Sequence, residues 1–255
     1  MNRLLIFLFS ILFIGCCNEK EVLNNGLTKK ASKITEYTIK SINDSLNNKI
    51  QDTLVITELK YNENDQIIKS FQQNLFAEGT MEINFLYNKS KKIEREIVKM
   101  SSDSLPLIVN YFYQDSLLNQ TKSLFENDSE KFEQIESYYY GKNKKIEKKI
   151  LSQFFVDKES TDTITNSETI SYFDKNELTE KVETTNYKNT ERNSKTEFHY
   201  DCGTLLKSLD FNFKDSLIST TTYKYQFDKF KNWIKKESFE NDKLNYIKTR
   251  EIEYK

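Results

Sequence analysis

The feature that most constrains this chain is a period. An aromatic residue, a polar turn and an aliphatic residue five or six places on recur along most of its length: Tyr61-Asn62-Glu63-Asn64-Asp65-Gln66-Ile67, Tyr87-Asn88-Lys89-Ser90-Lys91-Lys92-Ile93, a shorter Tyr113-Gln114-Asp115-Ser116-Leu117-Leu118, and Tyr140-Gly141-Lys142-Asn143-Lys144-Lys145-Ile146. Phe173 to Leu178, Tyr200 to Leu205 and Phe227 to Trp233 continue the series, at intervals of 26, 26, 27, 33, 27 and 27 residues. A period of this length means one supersecondary unit repeated along the chain. Residues before each turn alternate, as in Met81, Ile83, Phe85, Tyr87 against Glu82 and Asn84, or Thr221, Tyr223, Tyr225, Phe227 against Thr222, Lys224 and Gln226. Period two with aromatic and β-branched enrichment predicts half-buried strands. Asn, Asp and Gly in the turns tolerate positive φ or bond their own backbone, so each unit reads as a β-hairpin. The long interval predicts an extended loop around Lys158 to Asn166.

The returning strands repeat a triplet: Ile67-x-Lys69-x-Phe71, Ile93-x-Arg95-x-Ile97, Ile146-x-Lys148-x-Ile150, Leu178-x-Glu180-x-Val182 and Leu205-x-Lys207-x-Leu209. In a regular strand the three positions share a face, which sets a charge among apolar side chains. A tight sandwich core does not absorb such a row cheaply. The expected fold class is therefore all-β, with repeated antiparallel β-hairpins forming an extended, twisted or curved open sheet in one domain, residues 26–255. Ile34 to Ile39 reads as the first strand and Val55 to Tyr61 as the strand entering the first turn. Lys248, Arg250, Glu251 and Glu253 in the last strand read as charges that protect an open edge.

Residues 1–15 read as a lipoprotein signal peptide, with Arg3 ahead of an apolar run from Leu4 to Gly15 broken only by Ser10. That run is too short to span a bilayer and suits a cleaved targeting segment. Phe13-Ile14-Gly15-Cys16 resembles a bacterial lipobox, which makes Cys16 the expected lipid attachment and the bilayer the expected partner through its acyl chains. Residues 16–25 form a polar tether, and Cys17-Asn18-Glu19-Lys20-Glu21 resembles the export signal of surface lipoproteins in Bacteroidetes-type bacteria. The expected location is the outer membrane of a bacterial envelope, facing the periplasm or the cell surface.

The repeats resemble the YD-repeat (Rhs-like) family in bacterial lipoproteins of the Bacteroidetes type. Tyr200-Asp201-Cys202-Gly203-Thr204-Leu205 carries the tyrosine, aspartate, glycine and aliphatic residue of that pattern, and Ile247 to Tyr254 is similar to a final strand of such lipoproteins. The resemblance implies a repeat fold and no activity.

Composition excludes several functions. Lys+Arg number 38 against Asp+Glu 39, so no nucleic-acid partner is expected. His199 is the one histidine and alternates outward between Phe198 and Tyr200, and no G-x-S-x-G accompanies it. With five glycines, at 15, 26, 79, 141 and 203, no phosphate-cradling loop can form. No cofactor, no metal and no catalytic residue is expected, and the protein reads as a non-enzyme. A hydrolase would need two converging carboxyl groups in a pocket. The equivalent aromatics Tyr61, Tyr87, Tyr113, Tyr140, Tyr200 and Phe227 form a candidate ladder, either a surface for glycan, peptide or lipid or simply the packing layer of the repeats. The expected function is a membrane-anchored, monomeric envelope lipoprotein with a binding or structural role. The alternatives are a periplasmic carrier or chaperone cradling an apolar ligand on a curved sheet, and a hydrolase with an unrecognised carboxylate site.

Overall fold

The structure, a computed structural model, describes residues 30–43, 49–102, 105–126, 130–157 and 163–255. The signal peptide, Cys16 and the tether lie outside the described residues. Alternating sequence becomes strand throughout: β1 (Ala31–Asn43), β2 (Lys49–Tyr61), β3 (Ile67–Asn74), β4 (Gly79–Tyr87), β5 (Ile93–Met100), β6 (Leu107–Gln114), β7 (Leu117–Glu126) and β8 (Glu130–Tyr140). They are followed by β9 (Ile146–Asp157), β10 (Thr163–Phe173), β11 (Thr179–Asn186), β12 (Ser194–Asp201), β13 (Thr204–Asn212), β14 (Leu217–Phe227), β15 (Trp233–Glu240) and β16 (Lys243–Tyr254). A single turn of 3-10 helix, Thr190–Arg192, joins β11 to β12. β9 and β10 are long, and Thr163 to Asn166, expected in a loop, begin β10, so extra residues of the fourth interval lengthen that hairpin.

Each strand pairs antiparallel with its sequence neighbours, and β16 pairs with β1, from Ala31 opposite Tyr254 to Lys40 opposite Tyr246. The sheet is therefore a closed barrel of sixteen strands and not an open sheet. Lys248, Arg250, Glu251 and Glu253 do not protect an edge, because their strand is fully paired. Followed round the ring, the registers give a stagger of about 16 residues, roughly one per strand, which corresponds to a strand tilt of roughly 36°. With strands about 4.8 Å apart, the backbone ring is roughly 30 Å across, and a layer of side chains leaves a lumen of roughly 20 Å.

The turns explain why the triplets misled. Tyr61 pairs with Ile67 but Lys60 with Lys69, so Ile68 is an extra residue in a β-bulge. The same step occurs between Tyr87/Ile93 and Leu86/Arg95, and again in the hairpins ending at Tyr113, Tyr140, Phe173, Tyr200 and Phe227. One inserted residue reverses the parity of the strand. Ile67, Ile93, Ile146 and Leu205 consequently face the same side as the turn aromatics, while Lys69 with Phe71, Arg95 with Ile97, Lys148 with Ile150, and Lys207 with Leu209 face the other.

The aromatic side is the inside. Most buried side chains lie on it, among them Ala31, Ile34, Tyr61, Val98, Ser70, Thr121, Ser171 and Ser208, whereas exposed Leu86, Ile108, Phe112, Leu124 and Tyr139 lie on the other, where Thr35 and Ile247 near the closing seam are also buried. Closure repeats the hairpin pattern without a turn: Tyr254 pairs with Ala31, and Lys33 with Glu253, leaving Ser32 as the bulge. Here Ile34, Ala31 and Tyr61 cluster with Leu59, Ile67 and Ile252. Lys30 and Lys255 both pair with Asp65 of the first turn, at 2.6 and 2.9 Å.

Candidate functional site

At the turn end, several hairpins are organised by aspartate or asparagine at the position after the aromatic. Asn62 Oδ1 accepts from the backbone N–H of Asn64 and Gln66, Asn88 does the same for Ser90 and Lys92, and Asp174 for Asn176 and Leu178. This bends the chain into a left-handed residue, at Asp65, Lys91 and Glu177 with φ near 60°. The shorter hairpins use two consecutive positive φ values, at Asp115-Ser116 and Cys202-Gly203, as type I′ turns require.

The candidate ladder residues Tyr61, Tyr87, Tyr113, Tyr140, Tyr200 and Phe227 all enter the lumen side at this end, each in the equivalent place. Three clasp the preceding hairpin. Tyr87 Oη donates to the carbonyl of Ile67 at 2.7 Å, Tyr113 to that of Ile93 at 2.8 Å and Tyr140 to that of Leu118 at 2.9 Å. Burial raises the pKa of all three, so they stay protonated donors. Tyr225 and Phe227 stack at 5.9 Å near the rim.

Deeper on the inner wall two ionic groups face each other across the ring. One lies on β15, β16 and β1. Arg250 Nε bonds Glu36 Oε2 at 3.0 Å and Lys248 Nζ bonds Glu36 Oε1 at 2.9 Å. The Arg250 guanidinium sits 3.5 Å from the centre of the Trp233 ring, and Lys236 Nζ lies 4.4 Å from that of Tyr223. Burial pulls against the Glu36 carboxylate, but Lys248 and Arg250 outweigh it and hold its pKa below the ordinary value. Burial, with Lys248 and Arg250 nearby, depresses the Lys236 amine.

The second group is acidic and lies on β5 to β9, half the ring away. Glu96 accepts from Tyr111, and Glu136 accepts from Tyr138 and pairs with Lys149 at 2.8 Å. Burial, opposed by the Tyr111 hydroxyl, raises the Glu96 pKa. Each carboxylate is bonded to a tyrosine on its own strand or the next, which holds it against the wall. The Glu136 carboxylate stands near enough to add to the rise in the Glu96 pKa.

The sequence reading missed the basic group because β1 and β16 stand more than 200 residues apart. A usable signal existed: Tyr254 repeats the turn aromatic, and Tyr246, Lys248, Arg250 and Ile252 share its parity. His199 faces outward, opposite Lys207, as its alternation implied. Among the described residues no cluster has the makings of a metal site.

No protein-family model matches the chain, and no curated protein matches it in sequence. The solved structures that match its fold include two porin-like proteins. A porin-like protein from Bacteroides vulgatus aligns with a TM-score of 0.53 and 12% identity over 89% of this chain and 99% of its own. The chain has a porin-like barrel fold. A porin-like protein from Bacteroides uniformis gives a TM-score of 0.55 and 10% identity over 88% of this chain and 96% of that one. The resemblance to YD-repeat lipoproteins is thereby corrected: the hairpins are those of a closed, porin-like barrel and not of an Rhs-type repeat sheet.

Proposed function

We propose that this protein is a lipid-anchored barrel of the bacterial outer membrane with a transport-class role and no chemistry of its own, taking molecules with apolar or aromatic parts into its lumen. The observation that carries this reading is the polarity of the wall. Apart from its two ionic groups, the inward wall holds Tyr, Phe, Ile and Val interleaved with Ser and Thr, while the outward wall mixes apolar side chains such as Leu86, Ile108 and Phe112 with ion pairs such as Lys33–Glu58, Lys69–Glu82, Lys181–Glu183 and Lys235–Glu237. Inward rings facing water across a wide lumen gain from a guest with apolar surface.

The same polarity argues that acyl chains on Cys16, rather than the wall, hold the protein to the bilayer. Lys122, Glu197, Lys224 and Glu237 face outward at mid-strand. A lipid-facing Lys at the bilayer midplane costs about 2–4 kcal/mol, and on this wall such charges interrupt the outward apolar side chains, among them Leu86, Ile108, Phe112 and Leu124. The barrel hangs beside the membrane.

Fractionation of host cells with Cys16→Ala tests the anchor. The variant should leave the membrane pellet as a folded, soluble barrel, while the unmodified protein stays in it. A variant that resists alkaline carbonate extraction would mean that the wall itself spans. Titration of the released barrel with N-phenyl-1-naphthylamine tests the lumen: saturable fluorescence enhancement at about one site per chain is expected, and its absence would overturn the uptake reading.

A further inference from the structure

Resting on that lumen reading, we propose that the inner face of β15, β16 and β1 binds the anionic headgroup of an amphiphile, with Lys236 as the principal contact and the neighbouring rings holding its apolar body. Lys236 and Lys248 are direct cross-strand partners, an arrangement of like charges that weakens a sheet. Arg250 stands two residues along the same face from Lys248. The carboxylate bonded within this group is Glu36, already shared by Lys248 and Arg250. Other inward carboxylates stand farther along the wall: Glu240, four residues from Lys236 on β15, accepts from Asn245 at 2.9 Å, and Asp210 on β13 accepts from Thr196 at 2.7 Å and Ser219 at 2.8 Å.

Lys236, Lys248 and Arg250 thus stand round Glu36, and Lys236 Nζ lies 4.4 Å from the ring centre of Tyr223 and 5.7 Å from that of Tyr225. An anion entering there relieves the Lys236–Lys248 repulsion and receives charge-assisted hydrogen bonds. The apolar half follows from the flanking rings, Trp233, Tyr223 and Tyr225, which offer a body of carbon atoms a surface that a small hydrated ion cannot use. The occupant is thus an anionic headgroup attached to an apolar chain, not a free inorganic anion.

Trp233, the one tryptophan, reports on this patch directly. The test uses the full chain carrying Cys16→Ala, titrated with dodecanoate, its methyl ester and inorganic phosphate while Trp233 emission is followed. Dodecanoate should bind saturably and more tightly than the ester, and phosphate should not compete at equal concentration. Lys236→Met should weaken dodecanoate at least about tenfold and leave the ester unchanged. Lys236→Gln serves if Met perturbs folding, and Lys235→Met, which removes an outward-facing lysine, should change nothing. If acid and ester bind alike and Lys236→Met has no effect, the headgroup site is refuted while the lumen reading stands. If phosphate competes as well as dodecanoate, the amphiphile assignment is refuted. If neither amphiphile nor N-phenyl-1-naphthylamine binds, the lumen reading fails and this site with it.

Discussion

Glu36→Gln separates stability from affinity in opposite directions. Glu36 is inward on β1 with 16% of its side chain exposed, and its bond to Arg250 involves a guanidinium equally shielded. A hydrogen bond between charged groups contributes about 1.5–3 kcal/mol. The Lys248 bond adds less, about 0–1 kcal/mol, because that side chain is 43% exposed and screened by solvent. Glutamine keeps a neutral acceptor worth about 1 kcal/mol, so the net loss should be about 0.5–3 kcal/mol. The sign with pH follows from linkage. The folded Glu36 pKa lies below its ordinary 4.5, so its contribution is present above that value and disappears as pH falls through the folded pKa. Urea unfolding followed by Trp233 fluorescence should show the full gap at pH 7 and a narrowing gap below about pH 4.5. Dodecanoate should meanwhile bind the variant more tightly, since a competing carboxylate has gone. A variant as stable as the wild type at pH 7, or a gap that widens in acid, would refute the reasoning.

Two further perturbations probe the repeat. Tyr113→Phe removes the donor to the Ile93 carbonyl and should cost about 0.5–1.5 kcal/mol in urea unfolding, with no change in Lys236-dependent binding; a loss above 3 kcal/mol would mean that the hydroxyl does more than clasp one hairpin. Lys231 is held at φ 62° in the turn between β14 and β15, so Lys231→Gly should raise stability by about 0.5–1 kcal/mol and Lys231→Val should lower it, read from thermal midpoints.

Local chemistry made the hairpins legible and distance hid the barrel. Tyr61, Asn62 and Ile67 specify a turn within seven residues, and the alternation from Met81 to Tyr87 specifies its strand, so both could be read directly. The faces could not, because Ile68 and its six counterparts insert one residue where a regular strand was assumed, and a single insertion carries Lys69 from inside to outside. Closure depends on Ile34 meeting Ile252, a pairing with no local signature. The candidate ladder residues occupy equivalent places round the ring, whereas Glu36, Lys236, Lys248 and Arg250 become one site only once the ring is shut.

Closure is also what a single cross-link can test. Tyr37 and Thr249 are register partners on the outward face of β1 and β16. Antiparallel partners lie about 4.5–5.5 Å apart at Cα, within disulfide reach. In a chain beginning at Asn18 and carrying Cys202→Ser, the pair Tyr37→Cys and Thr249→Cys should form an intramolecular disulfide under mild oxidation. It should do so in high yield independent of protein concentration, and the bond should raise the unfolding midpoint. Free thiols in the folded monomer, or cross-links between chains only, would show that the first and last strands do not meet and that the sheet is open.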